Sequence, residues 1–218
     1  MQQLADEFTK LYFSKSAFTT WRDVPIQKCP LDLWMYQVLI NQVKPEVIVE
    51  CGTAGGGSAF YLANMLDLMG PANAEVVTVD IQQSPNKPRH GRITYLTGSS
   101  VDPFIVTQIA RICQGRKTMV ILDSDHHAQH VFQEMRAYSP MVDVGSYMIV
   151  EDSVVHHPLP FPDYPEGGPW AAIKRFMQDN DDFEHDSACE VFLLTYNPGG
   201  YLLRMRRNGI VDETAQSR

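Results

Sequence analysis

Four carboxylates and a run of histidines are the residues of this chain best suited to chemistry. Val120-Ile-Leu-Asp-Ser-Asp-His-His127 ends an apolar, β-rich run in Asp123 and Asp125, and Met148-Ile-Val-Glu-Asp152 ends another in Glu151 and Asp152. If these runs are adjacent parallel strands, all the acids reach one edge of a sheet. Asp123 and Asp125 lie two apart, so in an extended backbone they point the same way. Carboxylates packed together are costly unless a proton or cation sits among them. Oxygen ligands suit hard cations, Mg²⁺ first, then Mn²⁺ or Ca²⁺. The competing reading has Asp125 capping the next helix and Glu151–Asp152 on a solvated loop, which requires both strands to end in acids by coincidence. His126 and His130 share a helical face and would also suit zinc or iron. His126 is the preferred proton acceptor, with Asp125 and Asp152 beside it. His156 and His157, at the start of a proline-rich loop, are alternatives.

A second pattern calls for a cofactor. Val47-Ile-Val-Glu-Cys-Gly-Thr-Ala-Gly-Gly-Gly-Ser58 runs from an apolar strand through an acid into glycines and opens a helix. Such a turn lets backbone approach a ligand, and the helix start offers free N–H groups. The spacing Glu50-x-Gly52-x-x-x-Gly56 is not the dinucleotide G-x-G-x-x-G; acid before glycine suits the cationic cofactor S-adenosylmethionine (SAM). Thr53 and Ser58 belong to the same turn. Asp80, closing Glu75-Val-Val-Thr-Val-Asp80, is suited to two ribose hydroxyls, or equally to capping a helix. Ser99, in Thr97-Gly-Ser-Ser100, is small enough to lie beside an adenine, or simply to make a turn.

The elements that must position these residues follow from periodicity. Strands are expected near 46–51, 75–80, 92–96, 118–123, 146–151, 189–196 and 200–206. Helices are expected near 57–69, 102–113, 127–139 and 168–179, and over Leu31–Ile40 after Pro30. Alternation of strand and helix implies a mostly parallel sheet covered on both faces. Val191-Phe-Leu-Leu-Thr-Tyr196, Asn197-Pro-Gly-Gly200 and Tyr201-Leu-Leu-Arg-Met205 together read as a terminal hairpin. The expected fold is α/β: a three-layer, doubly wound, seven-stranded sheet of five parallel strands plus a C-terminal antiparallel hairpin. That is the Rossmann-like plan of class I methyltransferases. Residues 1–29 form an irregular extension that could act as lid or subunit contact, 30–208 the domain, and 209–218 a loose tail.

With 218 residues, 44% hydrophobic and 20% charged, the chain has the size and composition of one globular domain. A net charge of −8 argues against bulk nucleic-acid binding. No apolar stretch is long enough to span a bilayer, and the polar, acidic start is unlike a signal peptide. Cys29, Cys51, Cys113 and Cys189 make no C-x-x-C pair, and a reducing cytoplasm is the expected setting. Pro158–Pro169, with its prolines and glycines, is placed as a substrate wall or lid, or equally as a plain surface connection.

Lys28-Cys-Pro-Leu-Asp-Leu-Trp-Met-Tyr-Gln37, Glu50–Ser58, Leu122-Asp-Ser-Asp-His126, Gly145–Asp152 and Gly168-Pro-Trp-Ala-Ala172 together resemble the cephalosporin-hydroxylase-like family. The likeness runs from about Trp21 to Tyr201. Despite its name, that family resembles class I SAM-dependent O-methyltransferases with a magnesium site, some of which act on antibiotics and sugar hydroxyls. The resemblance implies SAM contacts at Glu50, Gly52, Ser58 and Asp80, and metal ligands at Asp125, Glu151 and Asp152. Catechol-type enzymes would choose Asp123 instead of Asp125; here Asp123 is assigned to the methionine end of SAM or to supporting the ligands. Ala54 departs from the generic pattern. The implied activity is transfer of a methyl group to a hydroxyl of a small molecule, with SAM and Mg²⁺ or Mn²⁺ as cofactors and a possible homo-oligomer. Alternatives are C-methylation of a metal-chelated 1,3-dicarbonyl unit, an iron-dependent hydroxylase using the histidines, and a silent binding scaffold.

Overall fold

The computed structural model describes residues 4, 7–11, 19–155, 164–207 and 210–211. His156, His157, most of the proline-rich loop and the last residues of the tail lie outside them. Within the extension expected to be irregular, β1 (Thr19–Trp21) and β2 (Val24–Ile26) form an antiparallel hairpin. Its turn residues Arg22 and Asp23 have φ of 49° and 66°. Two left-handed residues give the turn whose twist matches paired strands. Arg-Asp carries none of the usual Asn-Gly signal, which is why the hairpin is not legible in the sequence. Helix α1 (Pro30–Val43) starts on its proline and ends at left-handed Lys44.

Beyond α1, strands and helices alternate. The strands are β3 (Val47–Cys51), β4 (Glu75–Asp80), β5 (Ile93–Thr97), β6 (Thr118–Leu122), β7 (Tyr147–Val150), β8 (Phe183–His185) and β9 (Tyr201–Arg204). The helices are α2 (Gly57–Met69), α3 (Pro103–Cys113), α4 (Ala128–Tyr138) and α5 (Gly168–Gln178). The seven strands form one sheet in the order β5-β4-β3-β6-β7-β9-β8. Strands β3 to β7 are parallel, and β9 runs antiparallel to both its neighbours. The expected architecture is therefore present, with one displacement. Val191–Tyr196 is not a strand; the penultimate strand is the three-residue β8. Val191 and Leu193 are exposed, and Tyr196 is tied to α1 through its backbone N–H, which donates to Asp32 Oδ2 at 2.9 Å. An apolar run otherwise suited to a strand is thus held as an irregular segment.

Both faces of the sheet are covered. Val47, Val49 and Cys51 of β3 pack with Ile109, Met135 and Phe176 of α3, α4 and α5. Ile48 faces the other way, with Leu39 and Ile40 of α1 and Leu62 and Leu66 of α2. The period-two alternation of β3 puts Glu50 on the α1–α2 side. Past the helical domain, β10 (Arg206–Arg207) pairs with β11 (Ile210–Val211). All four cysteines are buried and free. Among the described residues no helix is long and apolar enough to cross a membrane.

Candidate active site

From β3 the chain winds to β4 and β5 on one side, while β6 and β7 lie on the other. Connections leaving β3 and β6 in opposite directions open a crevice at their carboxyl ends, where ligands of such sheets bind. A cavity of about 720 Å³ occupies that place. Its walls include the glycine turn after β3, the ends of β4 and β6, and Pro25–Lys28 from the hairpin. Gly52, Thr53, Ser58, Asp80, Ser99 and Asp123 line it, as do Asp125, His126 and Asp152. Glu50, Gly56 and Glu151 do not.

On the β4 side the fittings are local. Asp80 Oδ2 accepts the backbone N–H groups of Thr53 (3.0 Å) and Ala54 (2.8 Å), and its Oδ1 accepts that of Gln82. The carboxylate expected at ribose hydroxyls thus also clamps the glycine turn in shape. Glu50, expected to face the cofactor, is fully buried below the wall. Its Oε2 accepts from Thr78 Oγ1 at 2.6 Å, and Thr78 in turn meets Thr53 Oγ1 at 2.7 Å. Burial pushes the Glu50 carboxyl up, against the pull of Lys28, Ser58 and Thr78. It supports the turn from beneath because its strand position points into the layer between sheet and helices. Gly56 is the left-handed residue (φ 80°) at which α2 begins. Gly52 has φ 96°, and a Cβ there would lie 1.8 Å from the carbonyl oxygen of Asp123. The neighbouring strand end by itself requires a glycine at this position.

On the β6–β7 side the carboxylates gather around a lysine. Lys28 Nζ donates to Asp123 Oδ2 and to Glu151 Oε2, the latter at 2.6 Å. Its side chain is only 5% exposed. Burial works against the Lys28 charge, but Asp123 and Glu151 outweigh it and hold the ammonium protonated. Burial and the nearby Asp123 charge drive the Glu151 carboxyl well above the ordinary range, against Lys28. Glu151 Oε1 is buried with no hydrogen-bond partner. Asp152 follows with φ 55°, a left-handed conformation rare outside glycine. Its N–H donates to Asn197 Oδ1 at 3.0 Å, and Asn197 Nδ2 donates to Tyr36 Oη at 3.1 Å. Burial first, then Asp123, raises the Asp152 carboxyl to about 6, with His126 opposing. His126 Nε2 lies 3.2 Å from Asp152 Oδ2.

Asp123, His126 and Asp152 can each offer a ligand atom within 4.8 Å of the others. Asp125 stands apart from that group. The chain turns after Leu122, so Asp123 and Asp125 do not share an extended backbone. Asp125 Oδ1 accepts from the His127 N–H at 2.9 Å and meets His127 Nδ1 at 2.5 Å. Asp125 is thus tied to His127, the residue ahead of α4, and does not cap a helical N–H as the sequence alternative would have it. His130 is turned to Ser100 Oγ (3.2 Å) and Glu134 Oε1 (3.5 Å), so His126 and His130 do not converge on one iron-type site. Sequence reasoning missed Lys28, Tyr36 and Asn197. The first two lie in the segment Lys28–Gln37 that carried the family likeness, which was the available signal.

The sheet order, the glycine turn clamped by an acid at the end of the next strand, and the crevice above them define a class I methyltransferase. A model of the family "Rhamnosyl O-methyltransferase/CmcI" matches residues 14–205. Rhamnosyl O-methyltransferase of Mycobacterium tuberculosis (strain ATCC 25618 / H37Rv) is 35% identical over 211 residues, covering 92% of this chain and 85% of that protein. The Mycobacterium leprae (strain TN) protein of the same name is 33% identical over 210 residues, covering 92% and 90%. A solved CmcI structure with Mg and SAM superposes with a TM-score of 0.64 at 21% identity, over 86% of this chain and 77% of that one. The chain belongs to the rhamnosyl O-methyltransferase/CmcI family and is a SAM-dependent O-methyltransferase.

Proposed function

We propose that the chain methylates a sugar hydroxyl of a small glycosylated molecule, assisted by a divalent cation, Mg²⁺ or Mn²⁺, held by Asp123, Glu151 and Asp152. The observation that carries this reading is the acidic group at the cavity floor. Ligand atoms of Asp123, His126 and Asp152 approach within 4.8 Å, and Glu151, joined to Asp123 through Lys28, has a second oxygen that is buried without a hydrogen-bond partner. A carboxylate-dominated donor set suits a hard dication. Of the two aspartates after β6, Asp123 replaces Asp125 as the ligand in this proposal, since Asp125 is committed to His127. The sugar acceptor is suggested by the relatives' name, rhamnosyl O-methyltransferase.

When bound, SAM supplies an electrophilic methyl group, and the dication lowers the pKa of the acceptor hydroxyl. The protein's own groups do the remaining work. His126 takes the hydroxyl proton, and Asp152, 3.2 Å away, stabilises the imidazolium so formed. The clamp of Asp80 on Thr53 and Ala54 fixes the turn that receives the nucleoside. Holding both reactants in one crevice can contribute about 7–11 kcal/mol of the barrier through orientation alone. A comparison of Asp123→Ala with Asp125→Ala tests the assignment, with turnover and calorimetric SAM binding as readouts. Asp123→Ala is expected to lose about 10³-fold in turnover, several kcal/mol of barrier, while keeping its SAM affinity. Asp125→Ala is expected to retain most of its activity. The reverse ranking would return the ligand role to Asp125.

A further inference from the structure

Lys28 has no part in methyl transfer as derived above, yet no side chain is more intimately placed among the acids. Its ammonium bridges Asp123 and Glu151 from two residues beyond β2, with its side chain 5% exposed. Burying a lysine so deeply costs its hydration and the freedom of its long stem, and only paired charges make the position tenable. The pairing atoms are oxygens that the proposed dication would also use. We propose that Lys28 is a resident counter-ion that competes with the divalent metal: it neutralises Asp123 and Glu151 while the metal is absent, and yields Asp123 when the metal enters. The proposal rests on the metal reading of the site.

The charges support it. Three carboxyl groups, Asp123, Glu151 and Asp152, meet here, and the one ammonium pairs only with Asp123 and Glu151. Without Lys28 the metal would face all three. A flexible four-carbon stem lets the ammonium move without rebuilding the site, which the planar guanidinium of an arginine does less readily. Lys28 also forms part of the cavity wall together with Pro25, Ile26 and Gln27. Its displacement would therefore be felt where the substrates lie.

The test uses Mn²⁺ alone, with free Mn²⁺ followed by electron paramagnetic resonance on wild type, Lys28→Met and Lys28→Arg. Removing one positive charge a few ångströms from a dication is expected to tighten Mn²⁺ binding about tenfold or more in Lys28→Met. Lys28→Arg, which keeps the charge, stays near the wild-type affinity. Metal-free Lys28→Met melts below wild type, and saturating Mn²⁺ closes that gap. Unchanged or weaker binding by Lys28→Met overturns the inference while leaving the metal reading intact. Equally tight binding by Lys28→Arg overturns it too, because charge would not be the cause. No Mn²⁺ binding by any of the three removes both. If Lys28→Met does not fold, the ¹⁵Nζ resonance of Lys28 in wild type decides: Mg²⁺ must shift it, and an unmoved resonance at saturating Mg²⁺ counts against displacement.

Discussion

On the β4 side of the cavity, Asp80 takes three backbone N–H bonds from Thr53, Ala54 and Gln82, all within its own turn and the neighbouring one. On the β7 side, Asp123 and Glu151 share one lysine, and a second Glu151 oxygen is left buried and unpartnered. The first arrangement is satisfied by its own backbone and needs nothing further to keep its shape. The second lifts the Glu151 carboxyl well above the ordinary range through burial and the Asp123 charge, and it includes Asp152 in a left-handed conformation. A buried carboxylate without full compensation is destabilising. The glycine-turn side has costs of its own, a buried unpartnered Glu50 oxygen and a left-handed Ala54 (φ 44°), so what separates the halves is the kind of partner: backbone N–H groups at Asp80, a buried ammonium at Asp123 and Glu151.

The two sides meet at Gly52. Its missing Cβ is the space occupied by the Asp123 carbonyl, at 1.8 Å from an ideal Cβ, and its φ is 96°. Gly52→Ala should therefore break both regions at once. Overpacking against backbone and a strained φ together predict a loss of about 3 kcal/mol or more. Chemical denaturation measures this, and SAM affinity and turnover are expected to fall together. A variant that keeps SAM binding while losing turnover would show the halves to be mechanically separate at this point.

Asn197 sharpens the contrast from the opposite direction, since it touches only the reactive half. Its side chain accepts from the Asp152 N–H and donates to Tyr36 Oη. Asn197→Ala leaves a buried N–H without a partner, at a cost of about 1–3 kcal/mol. It also frees Asp152 from its unusual conformation. Turnover is expected to fall roughly tenfold or more, since small misplacement of a reacting group is expensive. SAM affinity, measured by calorimetry, should stay near that of wild type. Equal losses in both would place Asn197 in the cofactor half.

The same division explains what could be read from the sequence. Strand β3, the glycine turn and α2 are contiguous, so their pattern is complete within a dozen residues, and Asp80 follows as the polar end of a clean apolar strand. The reactive half is assembled from far apart: Lys28 meets Asp123 and Glu151 across 95 and 123 positions, and Asn197 meets Tyr36 across 161. Nothing local to Lys28 announces two carboxylate partners. The family likeness assigns the ligand role to Asp125, while an extended chain would present Asp123 and Asp125 alike; the turn after Leu122, which sets Asp125 against His127, is not legible in the sequence. Likewise Val191–Tyr196 has the composition of a strand, while β8 is three residues with one buried side chain, too short to carry a period. Burial of Asp32, whose Oδ1 accepts from Thr195 Oγ1 and Tyr201 Oη, decides the path of that segment instead.

The smallest expected effect belongs to His130, which lies between the halves on α4. Its Nε2 meets Ser100 on the cofactor side and Glu134, which also accepts from Ser124 Oγ beside Asp123. The contact with Glu134 raises the His130 pKa, with burial opposing. A histidine whose folded pKa lies above its unfolded value near 6.5 contributes stability that is complete below that value and disappears as pH rises through the folded one. Replacing it by an uncharged residue should therefore matter in acid and fade in base. The stability gap between wild type and His130→Gln, from urea melts at pH 5.5 and pH 8.5, is expected to be largest at the lower pH and on the order of 1 kcal/mol. A gap that instead grows with pH would mean that His130 works as a neutral hydrogen-bonding partner of Ser100. Glu134 would then be left buried without that positive charge, and the linkage between the two halves would run through Ser100 rather than through Glu134 and Ser124.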